Sequence, residues 1–189
     1  MKKVLILLLA AVLLLCSACQ AQRPVSSEPP VEIKDGAIDL TAAQFQKNYN
    51  GQLDSGVPRI ETLEESEEAG KPVYTCAIRR DVAVKLVCTA DKKGIESILF
   101  TFDSSDPQNT DYDSHFSYLR AALWALNPAA DGEAYLEAIF KTGSKTGDVN
   151  LYQVNGYSYA LHALEDSLAL EIEPSGEAQS APDAASPAE

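Results

Sequence analysis

The sequence predicts an α+β domain built on antiparallel sheet. Three observations carry that expectation. Leu40-Thr41-Ala42-Ala43-Gln44-Phe45 opens an amphipathic helix with a complete entry signature. Between Val73 and Phe102, β-branched and aromatic residues gather in short runs separated by turns. Asn155-Gly156 then stands between two further runs, the strongest short-range sign of a β-hairpin. The strands come in groups, and no glycine-rich phosphate loop occurs. A nucleotide-binding parallel sheet is therefore not expected.

Each element has its own reason. Thr41 fits an N-cap, Gln44 closes the capping box, and Leu40 is placed to staple onto Phe45. Phe45, Tyr49 and Leu53 recur every fourth residue, which makes one face apolar; Asn50-Gly51 and Gly56 to Pro58 end the helix. Pro58 to Glu65 reads as a weak strand carrying Ile60 and Leu63. Val73 to Arg79 and Val82 to Thr89 read as stronger ones, with Val82, Val84, Leu86 and Cys88 on one face. A turn at Lys92-Lys93-Gly94 leads to Ile95 to Phe102, where Ile98, Phe100 and Phe102 share a side.

A polar loop from Asp103 to Asp111 follows. A second helix is expected from about Asp113 to Leu126, with Phe116, Leu119, Leu123 and Leu126 as its buried stripe. Asn127-Pro128 ends it. A third helix covers Gly132 to Thr142, and Gly143 supplies its stop. Val149 to Val154 and Tyr157 to Leu164 flank the Asn-Gly turn, a register that pairs Tyr152 with Tyr159 and Val154 with Tyr157. After Glu165-Asp166-Ser167, Leu168, Leu170 and Ile172 alternate with Ala169, Glu171 and Glu173, giving that strand one wet face. The expected order is helix, three or four strands, two helices, three strands. A helix-then-meander unit occurs twice in it, without a sequence repeat. By topology alone the order is similar to helix-plus-meander inhibitor modules of secreted proteins.

Composition limits the function. In 189 residues, 15 Lys+Arg face 28 Asp+Glu, for a net charge of -13. Nucleic-acid affinity rests on cations that neutralise phosphates, so no nucleic-acid partner is expected. Two histidines leave little room for His-rich metal or catalytic sites.

The N-terminus reads as an address. Met1-Lys2-Lys3 precedes an unbroken apolar run of 12 residues, Val4 to Leu15, and then Cys16-Ser17-Ala18-Cys19. A membrane-spanning helix needs about 20 apolar residues, so the run suits a signal peptide over residues 1–18. With Ser17 and Ala18 before Cys19, the segment resembles the lipobox of bacterial lipoproteins, although Cys16 stands where leucine is usual. The resemblance implies a diacylglyceryl anchor on Cys19, a palmitate-type lipid, and a place on the outer face of a cell membrane. More than one acyl chain gives stable anchoring. Residues 19–36 are then expected to form a lipidated, proline-containing tether, 37–173 the globular domain, and 174–189 a disordered tail of Ala, Ser, Pro and acids.

Several residue groups are candidates for chemistry. Cys76 and Cys88 lie on successive expected strands and are the two cysteines left after Cys19. Outside the cell a disulfide between them is permitted. The alternative is two reduced thiols packed as small apolar groups, and a four-residue turn at Arg79 to Val82 would pair Cys76 with Lys85 instead. Asp103, Asp106, Asp111 and Asp113 offer oxygen ligands at a density that suits calcium, but without EF-hand spacing. Otherwise they form a solvated loop whose acids precede a helix. Glu61, Glu64, Glu65, Glu67 and Glu68 read either as a solvated strand edge that repels association or as a docking patch for a basic partner. Tyr152, Tyr157 and Tyr159 are candidates for a ligand surface or for a half-core ladder. His115 is expected on the surface at a helix start, and His162 lies in a strand. Neither belongs to a zinc motif, and no serine sits in a G-x-S-x-G elbow.

The expected function is a membrane-anchored extracytoplasmic lipoprotein that binds an envelope partner without catalysis. The alternatives are a small-molecule or calcium-binding lipoprotein and a surface hydrolase. No cofactor is called for.

Overall fold

The computed structural model describes residues 26–103, 112–140 and 145–175. In chain order the elements are β1 (Ile33–Lys34), β2 (Ala37–Ile38), α1 (Ala42–Gln52), β3 (Glu64–Glu68), β4 (Lys71–Arg79), β5 (Val82–Cys88), β6 (Ile95–Asp103), α2 (Tyr112–Leu126), α3 (Gly132–Ile139), β7 (Val149–Val154), β8 (Tyr157–Ala163) and β9 (Ser167–Pro174). The fold is α+β with an antiparallel sheet. Its main path runs β3-β4-β5-β6-β9-β8-β7, and the small β1-β2 hairpin joins through Ile38 opposite Ile95.

The topology is two meanders joined at the middle. β3 to β6 form one, β7 to β9 the other, and their last strands pair antiparallel as Phe100 opposite Leu170. Each meander is preceded by helix. The helix-then-meander unit expected twice along the chain is thus present in the chain path, without a sequence repeat.

The helices pack on one face of the sheet. Val82, Val84, Leu86, Ile98, Phe100, Phe102, Leu170, Ile172, Tyr159 and Leu161 all enter a single core with residues of the three helices. Tyr49 of α1 stacks on Phe100 with centroids 5.2 Å apart, and Phe45 meets the same ring at a tilt. Tyr135 of α3 meets Tyr152 and Tyr159 edge-on, both at 5.4 Å. Aromatic pairs in these geometries add about 0.5–1.5 kcal/mol beyond area burial.

Local signals explain the element ends. Gln44 N–H donates to Thr41 Oγ1 at 3.2 Å, and Thr41 N–H donates to Gln44 Oε1 at 2.8 Å, the expected capping box. Asp131 Oδ1 accepts from the backbone of Glu133 and Ala134 and caps α3. Asn155 and Gly156 both have positive φ, as a two-residue hairpin turn requires, and Tyr152 lies opposite Tyr159 as expected.

Four expectations about the fold are corrected. The chain packs from Val31 rather than Ala37. Asp35-Gly36 makes a positive-φ turn between β1 and β2, Val31 N–H donates to the Leu126 carbonyl at 2.8 Å, and Ile33 joins the core. Pro58 to Glu65 is not a strand. The side chain of Asn50 takes both backbone groups of Ile60, at 2.8 and 3.0 Å, so they are lost to a ladder, and strand geometry begins only at Glu64. The described part of α3 ends at Ile139, with Phe140 as its C-cap. A bulge between Ala77 and Arg79 shifts the β4-β5 register, so Cys76 faces Val84 and not Lys85.

Candidate binding surface

All three helices lie on one face, and the opposite face of the sheet carries no layer among the described residues. An antiparallel sheet tolerates this when the open face is polar or small. Its rows follow from the register. One is Thr75, Lys85, Leu99, Glu171, Ala160 and Leu151; the next is Ala77, Ala83, Thr101, Ala169, His162 and Val149.

The two ends of this face differ. Toward β3 it is crossed by ion pairs. Lys85 Nζ meets Glu68 Oε2 at 2.5 Å, and Lys71 pairs with Glu96. Val73 is buried between those rows. Toward β7 the ion pairs give way to apolar side chains. Val149, Leu151 and Leu164 are 53%, 47% and 50% exposed, the large exposed hydrophobic residues of the described chain. They fall together because Val149 lies opposite His162, Leu164 is two residues beyond it, and Leu151 is opposite Ala160. His162 sits among them and faces Glu171, Nε2 to Oε2 3.3 Å. The three side chains and His162 thus form an apolar corner on the open face.

The edges of the sheet also differ. β3 is one edge, and Glu64, Glu65, Glu67 and Glu68 on it are exposed. Glu65 accepts from Lys92 and Tyr74, and these hydrogen bonds hold its carboxyl below the ordinary value. Glu61 lies before the strand, and its carbonyl accepts from Gln46. β7 is the other edge and carries no charged residue.

A polar cluster closes the end of the sheet where β4 turns into β5. Arg79 Nε donates to Asp81 Oδ1 at 2.9 Å, and His115 Nε2 donates to Asp81 Oδ2 at 3.1 Å. His115 is buried against Phe102, with centroids 5.0 Å apart. The surface position expected for this histidine is therefore wrong: Asp81, 34 residues earlier, supplies the acceptor that lets it be buried. The arrangement orients an imidazole. It also ties a helix start to a turn.

The remaining candidates separate. Cys76 and Cys88 are both free thiols. They share the core side of the sheet, but Cys76 faces Val84 and Cys88 faces Ile95, four residues further along the strand. That is about 13 Å at strand rise, beyond disulfide reach. Burial, ahead of Glu96 and Glu65, pushes the Cys88 thiol up to about 11. Asp103 ends β6, while Asp106 and Asp111, like Cys19, lie outside the described residues, as does the side chain of Asp113. Among the described residues no group of three or more His, Cys, Asp and Glu is placed to hold a metal. Tyr157 and Tyr159 do not line a surface. Both are buried, Tyr157 donating to the Val31 carbonyl and Tyr159 accepting from Asn127, each at 2.7 Å. No described helix is long and apolar enough to cross a membrane.

The alternation of β9 signalled a wet face in the sequence. The apolar corner gave no such signal, because nothing along the chain states which face of the β7-β8 hairpin the helices cover and which they leave open to carry Val149, Leu151 and Leu164. No family model, curated protein or solved structure matches this chain.

Proposed function

We propose that this chain is a membrane-anchored extracytoplasmic lipoprotein whose α+β domain binds an envelope protein through its open sheet face. The observation that carries the binding role is the apolar corner formed by Val149, Leu151 and Leu164 around His162. Exposing three large apolar groups together costs solubility unless something covers them. The anchoring role rests on Lys2-Lys3, the apolar run and Ser17-Ala18-Cys19.

The chain path is compatible with both roles. Val31 accepts from Tyr157, and Ser175 N–H donates to the Gly156 carbonyl at 2.6 Å, so the first packed residue and the last described one both lie beside the Asn155-Gly156 turn. Val149 and Leu164 lie at the far end of the same hairpin, about 20 Å away along β7. Anchor and binding corner therefore do not compete for space.

The test is mild cross-linking on intact cells, followed by capture of the tagged full chain. Leu151→Glu should abolish the cross-linked partner, while Glu64→Gln with Glu67→Gln should retain it. A partner unaffected by Leu151→Glu overturns the binding face. For the anchor, Cys19→Ala should leave the chain unprocessed or release it from the membrane fraction. Wild-type migration and fractionation of that variant overturn the lipoprotein reading.

A further inference from the structure

We propose that β7 pairs antiparallel with β7 of a second copy, joining two sheets into one. The inference deepens the binding-face reading and concerns the edge beside the apolar corner.

The hydrogen-bond pattern shows which β7 groups face outward. Ala163 N–H donates to the Asp148 carbonyl at 2.9 Å, and the register is constant from Val149 opposite His162 to Val154 opposite Tyr157. In an antiparallel ladder, bonded and non-bonded pairs alternate. Asn150, Tyr152 and Val154 thus bond inward to β8. The backbone N–H and C=O groups of Val149, Leu151 and Gln153 point away from it, and no described strand pairs with them.

The occupant follows from charge and closure. The chain carries a net charge of -13, yet Val149–Val154 contains no charged residue. Two copies meet there without local repulsion. A twofold axis normal to the sheet at Leu151 places Leu151 opposite its own copy and Val149 opposite Gln153. The three outward residues then satisfy one another's backbone groups. Side chains of Val149 and Leu151 from both copies fuse into one apolar strip on the open face. The other edge, β3, carries four glutamates and no complementary charge on β7. Pairing therefore uses the one permissive edge and leaves two guarded ones, so assembly stops at two copies. The two anchors would leave from opposite ends of the joined sheet. Residues 20–30 extend to roughly 36 Å, enough for both to reach one membrane.

The test uses the full chain in cells, with Cys76→Ser as background. Leu151→Cys places two thiols opposite each other across the axis, within disulfide range. Under mild oxidation most of this variant should run as a covalent homodimer. Glu67→Cys on the other edge should remain monomeric. Adding Gln153→Pro, which removes an outward N–H while far-ultraviolet circular dichroism stays unchanged, should reduce the dimer at least tenfold. A folded Leu151→Cys variant that stays monomeric overturns the pairing, as does equal cross-linking through Glu67→Cys. Cross-linking of Leu151→Cys to a different protein also overturns it, while leaving the open-face binding role standing.

Discussion

His115 Nε2 lies 3.1 Å from Asp81 Oδ2 and ties the first turn of α2 to the turn between β4 and β5. Burial alone would raise the Asp81 pKa. The hydrogen bond from His115, the backbone and the charge of Arg79 outweigh it, so the carboxyl titrates below its ordinary value. A lowered folded pKa contributes stability that is complete above the unfolded value, about 3.9, and is lost as pH falls through the folded one. Asp81→Ala should cost about 1–3 kcal/mol at neutral pH, because it removes the acceptor of the buried His115 imidazole. That deficit should shrink as pH falls below the ordinary carboxylate value and through the lowered folded one. Urea unfolding across this range checks both, and a deficit independent of pH would exclude the ionised carboxylate as its source.

Where a signal was local, the sequence was legible. Thr41 with Gln44 and Asn155 with Gly156 are short-range devices, and each determines its own geometry. Where a partner was remote, it was not. Ile60 is drawn out of a ladder by Asn50, and His115 is buried by Asp81. The open face was half legible. Leu168, Leu170 and Ile172 announced an inward side, but nothing along the chain states that β9 lies between β6 and β8. Without that order Ala169 cannot be placed next to Thr101.

The start of the packed chain is open to a direct check. Val31 is held by Leu126 and Tyr157, and the β1-β2 hairpin pairs onto β6. A chain shortened to begin at Ser26 should unfold like the full domain. One beginning at Ala37 loses the hydrogen bonds of Val31 to Leu126 and Tyr157, the pairing of β1 with β2 and the buried contacts of Val31 and Ile33, and should be destabilised by about 2–4 kcal/mol. Equal melting temperatures would show that the tether extends to residue 36 after all.

The two thiols should behave as separate groups. Cys88 is buried with its thiol pushed up to about 11, whereas Cys76 is half-buried. The thiolate is the reactive form, so differential alkylation of native protein near neutral pH should label Cys76 well before Cys88. After denaturation without reductant, mass spectrometry should find both alkylated. A peptide pair joined through Cys76 and Cys88 would require a β4-β5 register other than the one described.

The acidic edge yields the last prediction. Glu65 and Glu68 are committed to Lys92 and Lys85, while Glu64 and Glu67 have no ion-pair partner among the described residues. Their carboxylates repel a second acidic chain approaching β3. Each exposed charge is worth little to the folding of its own domain. Glu64→Thr with Glu67→Thr should therefore leave the unfolding midpoint nearly unchanged and alter association instead. Threonine also favours strand geometry, so β3 becomes a second permissive edge. With β7 already able to pair, assembly should no longer close at two copies, and light scattering should show growth with concentration. Gln153→Pro in the same chain blocks the β7 route, so the assembly should then stop at a β3-paired dimer. If the double threonine variant keeps the size of the unaltered chain at every concentration, the glutamates are not what guards this edge.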